Sequence, residues 1–282
     1  MTLFRLATLI CLTLGVSSCG SLIASQTGKL TDGLASAVLD SEDLTTVEQG
    51  APAYLLLIDG LIESSPNNVD MLMTGAQLNG AYSAAFVVDD GRNKLMTTKA
   101  LNYALSASCI HNKSLCGAQT MEFASLEQAI DAEQNIETIY QLGVAWIGWL
   151  TAHTDDWNAL AQLPRAKACL DRVLSLDEEY ELGNVHLYLG GLATLLPPAM
   201  GGQPETGREH FEAAVRISEG KNLLAKVIFA QQYARLVFDQ ELHDRLLNEA
   251  INSDPRVKGL TLSNLVAQRE ARKLLAESAE YF

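Results

Sequence analysis

The sequence predicts an all-α fold, an array of helical hairpins, on three observations. Apolar residues recur at three- and four-residue spacing from about Thr46 onward, and alternating β-branched strand patterns are nearly absent. Prolines 66, 164, 204 and 255 fall at or near the breaks between the apolar-periodic stretches. Several helices also repeat a motif of small or apolar residues at positions i, i+4 and i+7.

Ahead of the array, residues 1–18 have the pattern of an export signal. A short n-region carries Arg5, an uncharged stretch runs from Leu6, and the small residues Ser17 and Ser18 precede Cys19. The apolar run is shorter than the roughly 20 residues a bilayer-spanning helix needs. Val16-Ser-Ser-Cys19-Gly20 resembles the bacterial lipobox, so Cys19 is the expected lipidation site and membrane anchor. Gly20 stands where an aspartate would favour retention at the inner membrane. The expected location is therefore the cell envelope, facing the periplasm, with the outer membrane favoured. Residues 19–46, rich in Ser, Thr, Gly and Ala, are expected to be a tether, and residues 47–282 the folded domain.

Within that domain, helices are predicted over 47–64, 67–87, 92–108, 121–131, 135–153, 157–176, 180–196, 204–218, 221–238, 240–252 and 260–279. The i, i+4, i+7 motif occurs at Ala100/Ala104/Ala107, Ala166/Leu170/Val173 and Gly207/Phe211/Ala214. Ile58/Leu61/Pro66 and Leu247/Ala250/Pro255 carry its last part. These are the marks of second helices in tetratricopeptide-like hairpins. First-helix marks are Leu142-Gly143 with Trp146 and Leu189-Gly190 with Ala193. Leu142 and Leu189 are 47 positions apart, wider than the regular unit of about 34 residues. The repeats therefore carry insertions. Such stacks bury a shared core and leave a face open for binding.

Charge and cysteines narrow the function. The formal charge of −14 opposes nucleic acid and anionic lipid, and no nucleic-acid partner is expected. In an oxidising compartment Cys109 and Cys116 are expected to pair. Free thiols rank second. Metal ranks third, because Cys109, His111 and Cys116 give three ligands where a closed zinc site wants four. Cys169 falls among apolar helix positions as a buried small hydrophobe. No Gly-x-Ser-x-Gly, His-Glu-x-x-His or phosphate-binding glycine loop occurs, and Ser218-Glu-Gly-Lys221 lacks the companion elements of a serine acyltransferase. No catalytic residue, metal or cofactor is expected.

Binding candidates come from composition. Leu196-Pro-Pro-Ala-Met-Gly-Gly202 is an unusually apolar connection between two helices. Leu196, Pro198 and Met200 either border a ligand channel or form a rigid connector tucked against the next hairpin, and the residues leave both open. Trp146 and Trp149, with His153 beyond, form an aromatic stripe for which core packing is the default and pocket lining the alternative. His186 is expected first as an interhelical hydrogen-bonding residue and second as a ligand contact. Asp155 and Asp156 suit the start of the next helix.

An ordered set of motifs then points to a family. Asp155-Asp156-Trp157, His186-Leu-Tyr-Leu-Gly190, Leu196 to Gly202, His210-Phe211, Gly220-Lys-Asn-Leu-Leu-Ala-Lys226, Tyr233-Ala-Arg235, Leu262-Ser-Asn264 and Ala267-Gln-Arg-Glu-Ala271 follow one another. That order resembles the T-component family of TRAP transporters over most of residues 50–282. The resemblance implies a periplasmic helical lipoprotein acting with the solute receptor of a tripartite ATP-independent periplasmic transporter. It further implies a homotrimer and a cleft or pore suited to an apolar small molecule. The Cys109–Cys116 segment departs from the family pattern. The competing expectation is a tetratricopeptide-like scaffold for envelope proteins with no small ligand.

Overall fold

A computed structural model describes residues 37–282. The export signal, Cys19 and most of the tether lie outside the described residues. Asp43 opens the first long helix among the described residues, α1 (Leu44–Ser64), by accepting the Thr46 N–H, three residues before the expected start. Pro52 inside α1 has no N–H to give the Glu48 carbonyl. The Tyr82 hydroxyl supplies the missing donor at 3.0 Å, so a helix defect becomes an interhelical tie.

Tyr82 belongs to α2 (Val69–Phe86), capped by Asn68, and α3 (Asp90–His111) follows, capped by Asp89. Next come α4 (Phe123–Ala132), α5 (Ile136–Ala152) and the single turn α6 (Trp157–Leu160). Asp156 caps α6 through the Asn158 N–H, and Asp155 forms an ion pair with Lys94 of α3 at 2.7 Å. The chain continues through α7 (Leu163–Leu176), α8 (Asn184–Thr194), α9 (Pro204–Ile217) and α10 (Leu223–Ile228). It ends with α11 (Gln240–Asn252), α12 (Thr261–Ala276) and the turn α13 (Ser278–Tyr281). Among the described residues there is no strand, and consecutive long helices pair antiparallel. The all-α hairpin array is the observed fold.

Three predicted helices are broken, each for a local reason. The 157–176 segment divides at Ala161–Gln162, because Pro164 cannot donate to the Leu160 carbonyl and starts a new first turn. The 180–196 segment begins as a 3-10 turn at Tyr180–Gly183, where Glu181 and Leu182 take left-handed φ of 50° and 54°. The 221–238 segment leaves α10 as a π-helix over Phe229–Ala234, closed by Arg235 N–H to Ala230 O and Asp239 N–H to Ala234 O.

The Leu-Gly marks have a packing cause. A Cβ on Gly143 would lie 3.0–3.1 Å from Leu170 and Cys169, and one on Gly190 would lie 2.8 Å from the Phe211 ring. Glycine lets the first helix of each hairpin approach the second. One core runs through α2–α5, α7 and α8 around Trp146, Leu142 and Leu170; a second runs through α8–α12 around Phe211 and Leu247. Cys169 is fully buried in the first, and burial pushes its thiol up to about 12. Helix α12 reaches back to the end of α2: Arg269 donates to Ala85 O at 2.6 Å and lies over the Phe86 ring.

Cys109 and Cys116 are joined as a disulfide that ties the end of α3 to the following 3-10 turn. Within that loop Asn112 donates to the Glu133 carboxylate at 2.7 Å, and the Gln134 and Asn135 N–H groups donate at 2.9 Å. Burial alone would raise the Glu133 carboxyl, but these donors and nearby His111 hold it below its ordinary value.

Candidate functional site

Two surface clefts are formed by second helices of the hairpins. The larger, about 530 Å³, lies between α9 and α11 with the π-helix as its floor. Core packing fixes the geometry. Gly207, Phe211 and Ala214 turn inward, so Glu205, Arg208, Glu212 and Arg216, on another face of α9, form one wall. Asp239, Leu242, Arg245, Leu246 and Glu249 form the other, and Phe229 and Tyr233 lie between them. These two rings, 5.4 Å apart, are themselves buried in the second core together with Ala230 and Ala234.

The cleft thus has an apolar floor and a charged rim. Arg208 bonds Glu205 at 2.9 Å and Glu212 at 3.3 Å, and the Tyr233 hydroxyl donates to Glu205 at 3.1 Å. Burial first, and then the Glu205 carboxylate, hold the Tyr233 phenol above its ordinary value. Glu249 is bridged by Lys226 at 3.0 Å and Arg245 at 3.3 Å. The second cleft, about 340 Å³, lies between α4 and α7, with Phe123 and Pro164 among its lining and the Lys167–Asp171 pair on its rim.

The sequence-predicted candidates are dispersed. Trp146 is fully buried in the first core, and its indole N–H donates to Gln162 Oε1 at 3.0 Å. Trp149 packs against that core from the side, its carbonyl 2.8 Å from His153 Nδ1. Leu196 is half-buried, whereas Pro198 and Met200 are exposed on the α8–α9 connection. That connection is tied down by Gln203 N–H to Ala193 O at 2.7 Å. None of Trp146, Trp149, His186, Leu196, Pro198 and Met200 lines either cleft. The larger cleft was missed because its residues lie on polar helix faces that also suit plain solvent exposure. The one available signal was the apolar pair Phe229 and Tyr233 four apart on a helix without a matching polar face.

His186 meets His210 of α9, Nδ1 to Nδ1, at 2.9 Å, and its buried Nε2 has no partner. One Nδ1 must donate and the other accept, so this contact requires that at least one ring be neutral. Burial is the main cause holding both imidazoles below their ordinary pKa. For His210 the neighbouring His186 adds to it, and for His186 Glu178 opposes it. The unfolded chain therefore binds protons that the folded chain refuses. The stability contributed by the pair is full above about pH 6.5 and falls as the pH drops below it. Thermal melting between pH 7.5 and 5 should show a fall that shrinks in His210→Gln, by roughly 2–4 °C for each kcal/mol of linkage removed. An unchanged pH slope in that variant would remove the pair from the account.

In the second cleft the Ser175 hydroxyl donates to the Arg172 carbonyl at 2.7 Å. Ser218 is buried with its hydroxyl donating to Ala214 O, and Lys221 is paired with Glu219. Among the described residues no three His, Cys, Asp or Glu side chains are grouped as metal ligands.

Stacked hairpins with charged-rimmed clefts on their surface define a helical-repeat protein. A family model described as the TRAP transporter T-component matches residues 40–282, and the chain belongs to that family. It is therefore an accessory component of a TRAP transporter, which associates with other components of that system at the cell envelope. No curated protein matches the chain. No helix among the described residues is long and apolar enough to cross a membrane.

Proposed function

We infer that the protein is a lipoprotein, anchored through Cys19 and facing the periplasm from the outer membrane, that engages the solute receptor of its transporter and holds an apolar or amphipathic ligand. The observation carrying the ligand half is the cleft between α9 and α11, whose Phe229 and Tyr233 floor suits an apolar body and whose arginine and carboxylate rim suits a polar end. A volume of about 530 Å³ is within the range of small-molecule sites. Arg216 also lines the cleft and adds a guanidinium to its charged rim for that polar end. The homotrimer implied by the sequence resemblance belongs to the same reading, as does a Cys109–Cys116 bond kept oxidised by export.

The scaffold reading, with no small ligand, draws on the charge of both rims, which suits a protein partner equally. Native mass spectrometry of protein purified from its own envelope separates the two. The ligand reading expects a co-purifying apolar molecule that is lost in Leu242→Arg, which places a charge on the half-buried cleft wall. Ligand-free protein that still captures its partners would favour the scaffold. Fractionation of Cys19→Ser tests the anchor on its own: release from the membrane fraction is expected, and retention would count against lipidation.

A further inference from the structure

We propose that His186 and His210 form a proton-operated clasp, whose opening in acid drives α9 toward α11 and narrows the larger cleft. The clasp joins the two helices of one hairpin, Nδ1 to Nδ1 at 2.9 Å, with His186 only 8% exposed and its buried Nε2 unpartnered. One proton between the two Nδ1 atoms holds the contact, whether the pair is neutral or carries a single charge. A second proton leaves two N–H donors and two positive charges facing each other, and the rings must part.

The surroundings do not absorb that second charge. Glu178, on the connection after α7, favours a charged His186, and Arg216 of α9 opposes it. At His210, Asp171 of α7 and the adjacent Glu209 favour the charge, while His186 and Lys167 of α7 oppose it. Each ring therefore has carboxylates set against a cation, and burial is the largest influence on both. Water, which screens like charges on a surface, is almost excluded at His186.

Packing gives the motion its direction. Helix α8 is held on both sides, by Val185 and Leu189 in the first core and Leu187 in the second. Between α8 and α9 there is no slack: a Cβ on Gly190 would lie 2.8 Å from the Phe211 ring, and one on Gly207 2.5 Å from Thr194. Space is found on the far flank of α9. His210 is two residues from both Arg208 and Glu212, about 200° around the helix, so it lies on the flank opposite the cleft wall that they form. Beyond that wall is the open cleft of about 530 Å³, and repulsion at the clasp pushes α9 into it. Phe211, next to His210, stacks on Phe229 at 5.3 Å, so the cleft floor is coupled to the same movement. Acid then displaces what the cleft holds. That consequence rests on the ligand reading given above, whereas the movement itself does not.

The test reads the movement without a ligand. Spin labels at Glu212→Cys on α9 and Asn248→Cys on α11, both exposed positions, report the distance across the cleft at pH 7.5 and pH 5. The full chain carries Cys11→Ser and Cys19→Ser; Cys169 is buried and Cys109 and Cys116 are joined, so only the introduced thiols are labelled. Nitrogen NMR of labelled histidine reports the charge on each ring. At pH 5 a second population at shorter distance is expected, with both rings charged and the circular dichroism spectrum unchanged. Adding His210→Gln should abolish it, because glutamine can pair with His186 Nδ1 but takes no charge. An unchanged distance with both rings charged would mean that the side chains part by rotation alone, and would overturn the proposal. So would a pair that refuses its second proton down to pH 5, or a shift that persists in His210→Gln. Loss of helical signal at pH 5 would assign the change to unfolding and overturn it as well. The ligand reading stands or falls separately, on the co-purification from Leu242→Arg.

Discussion

Trp146→Ala is expected to cost about 3–5 kcal/mol of folding free energy, a large part of the 5–15 kcal/mol available to an ordinary domain. The ring is fully buried where α5 packs on its neighbours, so truncation leaves a cavity that the surrounding Leu142, Leu150 and Leu170 cannot collapse to fill. It also leaves the Gln162 side-chain oxygen without the indole donor. Denaturant unfolding followed by circular dichroism should show a lower midpoint with little change in slope. Trp146→Phe should recover most of the loss, the remainder reporting the hydrogen bond. A loss below about 1 kcal/mol for the alanine variant would mean that the ring is not part of the core, and would return Trp146 to the ligand candidates.

Gly190→Ala is expected to cost about 1–3 kcal/mol, although alanine is the better helix former. The added methyl would lie 2.8 Å from two atoms of the Phe211 ring, which is itself fully buried and stacked on Phe229 at 5.3 Å. Because Phe229 also floors the larger cleft, relief by ring displacement is transmitted to the candidate site. Stability and cleft binding should therefore fall together, and Phe211→Leu should lose less in the Gly190→Ala background than in the wild type. A neutral or stabilising Gly190→Ala would contradict the close-approach account of the Leu-Gly mark.

Both effects trace to residues legible in the sequence. Apolar spacing located the long helices, and the Leu-Gly and small-residue marks located hairpin contacts, because both periodicities report the side of a helix that is buried. Breaks were less legible. Pro164 could have been seen to split its helix, since its missing N–H acts locally. The left-handed turn at Glu181 and Leu182, by contrast, leads into Gly183, where a Cβ would lie 3.0 Å from Ile217 of α9, a contact between elements that local sequence does not mark.

The candidate site was the least legible part. A cleft is a relation between α9, the π-helix and α11, and the charged residues on its walls have the same pattern as any solvated helix face. The loop from Leu196 to Gly202 drew notice as apolar, and the structure places Pro198 and Met200 on an exposed rim outside both clefts. A Cβ on Gly202 would meet the Leu196 carbonyl, which explains the second glycine as a closely folded connector.

Joint action with a solute receptor and a ligand is tested by a crosslinked pull-down of the protein from its own envelope, with proteins and small molecules both identified by mass spectrometry. The account predicts recovery of a periplasmic TRAP solute receptor together with an apolar or amphipathic molecule. Recovery of envelope-assembly proteins alone, without a receptor, would contradict it.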